Sequence, residues 1–226
     1  MRQIVLDTET TGLSVELGHR VIEIGAVEVA NRRLTGNVYH VYLNPDREID
    51  AGAMNVHGIT NDFLADKPHF PDVSHELLAF IAGAELIIHN APFDVGFLNA
   101  ELRRIDVSLL TTHCEGVLDT LKMAKDLHPG QKNNLDALCR RYGVDNSGRE
   151  YHGALLDAQL LAEVYLAMTR GQESLAIEMA VVDRAQSRGG INPVELRVLS
   201  ASPEELAEHD AYLQSMTKEC GQFATW

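Results

Sequence analysis

Two carboxylates one residue apart, Asp7 and Glu9, follow an apolar run in "IVLDTETTG" at residues 4–12. If Ile4–Leu6 is a strand, side chains two positions apart share a face, with Cα atoms about 6.7 Å apart. Like charges so placed repel each other and resist burial. Three further residues carry the same potential for chemistry. Asp94 closes "HNAPFD", Asp157 opens the strongest helical pattern, and His152 precedes that helix in "HGALLDA". Singly, each is ordinary: an acid in a first helical turn is favoured by the helix dipole by about 0.3–1 kcal/mol. Together they share one explanation. Hard cations such as Mg²⁺ or Mn²⁺ take oxygen ligands. Two such ions about 3.5–4 Å apart activate a water and stabilise the leaving oxygen in phosphodiester cleavage. Asp7 bridges both ions in this reading, and Glu9 and Asp157 complete the first. Repulsion between Asp7 and Glu9 is then relieved when metal binds. His152, in a loop from which its ring can swing, is suited to act as the general base.

The elements that must hold these groups read as strands first and then as alternating strands and helices. Strands are expected at Arg2–Leu6, Val21–Val29 and Asn37–Leu43, with a turn at Asn31-Arg32-Arg33, and their short connections favour an antiparallel meander. Helical spacing over Val73–Ile81 gives way to a buried strand at Glu85–His89 and a helix at Pro92–Arg104. A strand near Val117 and helices at Leu121–Leu127 and Asn134–Tyr142 follow. The helix Gly153–Met168 carries Leu156, Leu160, Val164 and Ala167 as an apolar stripe, with Gly171 as its stop. This order predicts an α/β fold with a mixed sheet and flanking helices. A polar, glycine-containing stretch at 183–193 reads as a linker, and Pro203–Met216 as a last helix capped by Ser202. The expected division is 1–171, 172–193 and 194–226.

Composition narrows the function. The 226 residues are 45% hydrophobic with a net charge of −14 (19 basic, 33 acidic), so a broad electrostatic DNA-binding surface is not expected. A nucleic acid held in a small cleft by metal ions stays compatible with that charge. Three cysteines without a C-x-x-C pair suggest neither a disulfide framework nor a zinc site. No apolar run reaches membrane length and no signal peptide is evident, so the cytoplasm is the expected compartment. No P-loop, serine elbow or G-x-G-x-x-G points to another reaction.

"LDTETTG" at 6–12, "HNAPFD" at 89–94 and "HGALLDA" at 152–158 resemble the three motifs of the DEDD-type 3′→5′ exonucleases, in the branch that uses histidine. Within it, "RVIEIGAVEV", "NRRLTGN" and "NNLDALC" are similar to proofreading subunits of bacterial replicative DNA polymerases. The resemblance implies a ribonuclease H-like fold with a five-stranded mixed sheet over roughly residues 2–170. It implies Asp7, Glu9 and Asp157 as metal and substrate ligands, Asp94 as the fourth carboxylate and His152 as the base. It places His57 beside the terminal nucleotide. Gly52 stands where the family is expected to carry a glutamate that touches that nucleotide, so its binding is expected to differ. The implied partners are a single-stranded or frayed 3′ DNA end, the polymerase alpha subunit through 194–226 and the small theta subunit. "QESLAI" at 172–177 resembles a sliding-clamp peptide. Leu206, Leu213, Met216, Phe223 and Trp226 are the expected apolar contacts of the C-terminal segment.

Overall fold

The computed structural model describes residues 1–149, 151–170 and 201–220. The chain divides into two units, Met1–Leu175 and Ala176–Trp226. In the first, strands β1 (Arg2–Thr10), β2 (Val21–Ala30) and β3 (Arg33–Tyr42) precede three helices, α1 (Ala51–His57), α2 (Asn61–Leu64) and α3 (Phe70–Ile81). Then come β4 (Glu85–Ile88), α4 (Ala91–Arg104), β5 (Gly116–Asp119), α5 (Thr120–Leu127), α6 (Leu135–Tyr142) and α7 (Ala154–Met168). The sheet order is β3-β2-β1-β4-β5, antiparallel across the first three strands and parallel from β1 to β4 to β5. The mixed five-stranded sheet is the one expected.

Several boundaries differ, each for a local reason. The carboxylates and threonines of 7–10 look turn-like in sequence, yet they continue β1, paired along β2. The β2–β3 hairpin turns on Asn31 and Arg32, both with positive φ (50° and 59°), the geometry that a tight two-residue hairpin demands. β3 therefore starts at Arg33, four residues before the expected position. α1 and α2 were not anticipated; "AGAMNVH" and "NDFL" are too short to show a period. The buried face of α7 runs through Ala154, Asp157, Leu161, Val164 and Met168. Leu156 and Ala167, assigned to the stripe, are only half-buried. Asp157 thus lies on the core-facing stripe itself. Gly171 and the segment 172–193 lie outside the described residues.

Strand alternation sets the site. Ile4 and Leu6 point into a core made with Phe70, Leu77, Phe97 and Leu98 of α3 and α4. Val5 points into the opposite core, against Leu138 of α6 and Leu161 and Val164 of α7. Asp7 and Glu9 continue the Val5 face, and Thr8 the Ile4–Leu6 face. The β1–β4 ladder covers only Gln3–Val5, so the end of β1 runs on without a neighbour on that side. That opening, at the carboxyl ends of parallel strands where the sheet changes direction, is where α/β sheets bind ligands.

In the second unit, α8 (Pro203–Cys220) starts with a reciprocal cap. The Glu205 amide donates to Ser202 Oγ (3.2 Å), and the Ser202 amide donates to Glu205 Oε2 (2.8 Å). Leu206 and Tyr212 are exposed on it. No described helix is long and apolar enough to cross a membrane.

Candidate active site

A cavity of about 260 Å³ opens at the end of β1, lined by Asp7, Glu9, Asp94, His152 and Asp157 together with Arg149. Each side chain has an identifiable source. Gly25 sits opposite Asp7 in the β1–β2 ladder. A Cβ there would fall within 3.0 Å of the backbone at Ala154 and Leu155. The bare glycine lets the first turn of α7 rest on the sheet, and so brings Asp157 to Asp7 and Glu9. On the other side, Pro lies in the first turn of α4 and Asn90 precedes it in the left-handed region. The Asn90 amide donates to Asp119 Oδ1 (3.1 Å), which also caps α5 through Leu121. This fixes the start of α4, and Asp94 accepts from the amide (3.1 Å) and hydroxyl (2.7 Å) of Thr8. The loop before α7 is tied to α1 by the His152 amide, which donates to the Val56 carbonyl (3.1 Å).

The cavity is electrostatically loaded. Burial, followed by Asp94, Glu9 and Asp157, holds the Asp7 carboxyl well above the usual range, with Arg149 opposing. Glu9 is pushed up to about 8 by burial and then by Asp157, Glu23 and Asp94. Asp94 rises to about 7 through burial, against the hydrogen bonds from Thr8. Carboxylates raised by burial, with neighbouring acids adding to it at Asp7 and Glu9, are a site short of positive charge. Their hard oxygen donors suit divalent ions such as Mg²⁺ or Mn²⁺. Glu9, His152 and Asp157 offer ligand atoms that lie within 4.8 Å of one another. The structure therefore places the histidine among the groups that could ligate a metal.

Sequence reasoning missed Arg149 and Asp136. Arg149 Nε and Nη2 reach the two oxygens of Asp157 at 2.5 and 2.6 Å, and Nη1 reaches Asp136 Oδ1 at 2.8 Å. Arg149 Nη2 also lies 2.9 Å from Nδ1 of His152, so that ring is held and does not swing freely. The available signal was the one arginine of "NSGREYHGALLDA". Burial and the Arg149 charge lower the His152 pKa, with Asp157 and Asp136 opposing.

His57 is placed next door. It lines a second cavity of about 470 Å³ that shares Thr8, Glu9 and Phe93 with the first, and Gly52 lies on that wall. Its Nδ1 accepts from the Ile59 amide (3.0 Å), so the neutral ring carries its proton on Nε2. That buried Nε2 has no hydrogen-bond partner among the described residues. Burial lowers the His57 pKa, which keeps the ring neutral near pH 7.

The fold and this cavity define a nuclease of the exonuclease class, and residues 4–165 match the family model described as Exonuclease. The chain belongs to that family. Within it, the chain stands among the epsilon subunits of DNA polymerase III. The subunit from Salmonella typhimurium is 53% identical over 97% of this chain and 95% of its own length. Among solved structures, exonuclease X in complex with 5′ overhanging duplex DNA has a TM-score of 0.59 and 27% identity, covering 75% of this chain and 92% of its own. The nuclease domain of 3′hExo, a DEDDh family member bound to rAMP, shares the fold at a TM-score of 0.65 with 19% identity, over 75% of this chain and 92% of its own. The chain is a 3′→5′ exonuclease of the proofreading type.

Proposed function

We propose that this chain removes mononucleotides from frayed 3′ DNA ends as the proofreading subunit of a replicative polymerase, working in the cytoplasm at the replication fork. The observation that carries the site assignment is the convergence of Asp7, Glu9, Asp94 and Asp157 with His152 in one cavity. Asp7, Glu9 and Asp157 are the residues that would hold two divalent ions. Such ions, Mg²⁺ or Mn²⁺, supply activation of a water and charge stabilisation at the leaving 3′ oxygen. His152 takes the proton of the attacking water, and Asp94, anchored on Thr8, completes the acidic cluster. The second cavity receives the terminal nucleotide beside His57, with extra room where Gly52 has no side chain. The site reads no base; a mismatched end is selected because it unpairs at lower cost.

The assignment to DNA is supported by the identity of the relatives as DNA polymerase III epsilon subunits and by exonuclease X, solved in complex with 5′ overhanging duplex DNA. The same relatives support the polymerase alpha subunit as a partner, which we place on residues 194–226. The clamp-like peptide at 172–177 and a site for the small theta subunit are finer proposals that rest on the sequence resemblance. The test is to incubate the purified protein with matched and mismatched 3′ primers, in DNA and in RNA, with Mg²⁺ and with EDTA. Metal-dependent release of 5′-mononucleotides, faster from mismatched DNA, is expected. Preference for RNA ends would replace proofreading by RNA trimming.

A further inference from the structure

Arg149 joins the two halves of the cavity, and the proposed reaction leaves it without a role. Its fork grips both oxygens of Asp157, Nη1 holds Asp136, and Nη2 meets Nδ1 of His152. A guanidinium has only donors and keeps its proton in proteins. Nδ1 of His152 is therefore the acceptor in that contact, and the neutral ring carries its proton on Nε2. In this arrangement the one basic lone pair of the ring is engaged, so the ring has nothing with which to take a proton from water. Asp157 is similarly committed. Each of its oxygens accepts a charge-assisted bond, and a divalent ion approaching that edge meets a full positive charge. Asp136 is more exposed than Asp157, with a side chain at 39% against 5%. It is also steadied from its own side by Asn146 Nδ2 at 3.0 Å.

We propose that Arg149 is an internal counter-cation that couples the metal site to the base. Its guanidinium lets go of Asp157 while staying on Asp136, and this one movement frees the carboxylate for a divalent ion and the Nδ1 lone pair of His152 for the water. The proposal rests on Asp157 as a metal ligand and His152 as the base. Its consequence is order: the histidine becomes competent only in a chain whose Asp157 has been claimed by metal. Arg149 is a positioning residue in this scheme and touches no reacting atom.

The experiment uses the full-length protein without nucleic acid. Mg²⁺ is titrated while the ¹⁵N signals of the Arg149 Nε–H and of the His152 ring are followed. Before metal is added, His152 reads as protonated on Nε2 and hydrogen-bonded on a bare Nδ1. The Arg149 and His152 signals then move together, with the midpoint of metal binding. Calorimetry with Mn²⁺ gives the second readout. Arg149→Gln binds about tenfold tighter than wild type, the factor expected if about one wild-type molecule in ten has Asp157 free. Arg149→Lys, which keeps the charge and loses the fork, falls between. In Arg149→Gln the His152 Nδ1 signal starts at the released position before any Mg²⁺ is added. Three results overturn the coupling: unmoved Arg149 and His152 signals in metal-bound wild type, an Arg149→Gln affinity equal to or below wild type, or a metal-free Arg149→Gln whose His152 Nδ1 still reads as hydrogen-bonded. If the variant does not fold, the wild-type titration decides alone. Absence of any metal binding in wild type and variants overturns the metal-site reading itself, and the coupling with it.

Discussion

Adding one methyl group at Gly25 should disable the enzyme while leaving every proposed catalytic side chain in the sequence. The Cβ of Gly25→Ala would fall within 3.0 Å of Ala154 C and of Leu155 N and Cα, where ordinary contact begins at 3.4 Å. All three are backbone atoms, so no side-chain rotation makes room. The first turn of α7 must retreat by about 1 Å to restore normal carbon separations. Further along, α7 is locked in the core by Leu160, Leu161 and Val164. The displacement therefore concentrates in the turn that carries Asp157. Misplacing a positioned group by about 1 Å costs on the order of 10²-fold in rate. Overpacking costs about 1–3 kcal/mol of stability, or about 2–12 °C in melting temperature for a domain of this size. The assay is single-turnover cleavage of a single-stranded DNA end at saturating Mg²⁺, paired with thermal melting. Gly96→Ala is the control, because a methyl there meets nothing within 4 Å. A Gly25→Ala enzyme with a rate within about threefold of wild type and an unchanged melting temperature would refute the close-approach argument.

Four other outcomes are expected. EDTA should abolish cleavage, and Mg²⁺ or Mn²⁺ should restore it. In EDTA, Glu9, whose folded pKa of about 8 exceeds its usual 4.5, favours the folded state below pH 4.5 and loses that contribution as pH rises through 8. Glu9→Gln should therefore melt higher than wild type at pH 8 and no higher at pH 4; the opposite order would contradict the crowded-carboxylate account. His152→Ala should lose about 10²–10⁴-fold in turnover with metal affinity retained, and the loss should shrink as hydroxide rises. Loss of metal affinity instead, with turnover intact at saturating metal, would make His152 a ligand alongside Glu9 and Asp157. Truncation after residue 175 should leave a folded nuclease that digests single-stranded DNA and no longer co-purifies with the polymerase subunit. Unfolding, or undiminished co-purification, would end the assignment of 194–226.

Much of this molecule was legible because its signals are local. The "VIEIGAVEV" run, the Asn31-Arg32 turn and the helical character of α7 depend on nearest neighbours, and the structure holds them where they were read, although the buried face of α7 is rotated from the stripe expected through Leu156 and Ala167. The carboxylates and His152 were legible as a set because the strand period and the helix start dictate which way they point. Arg149 and Asp136 were not. A salt bridge between a loop and two helices depends on how α6 and α7 pack, and neither residue departs from an ordinary surface pattern. Gly25 is similar: a glycine within a strand marks a close approach, but nothing local names the helix that approaches. α1 escaped detection because seven residues make too few turns for a period to show.

The bond between Thr8 and Asp94 has a consequence for degenerate relatives. The β1–β4 ladder stops at Val5, and beyond it the Thr8 amide and hydroxyl are satisfied by Asp94. A carboxylate thus stands in for a missing stretch of strand. Replacing Asp94 takes a buried hydrogen-bond partner from the fold and strands a donor at a cost of about 1–3 kcal/mol, whereas replacing Asp7 or Glu9 is expected to relieve repulsion. A surviving aspartate at that position is therefore a record of architecture, and the pair on β1 is the better witness to a working metal site.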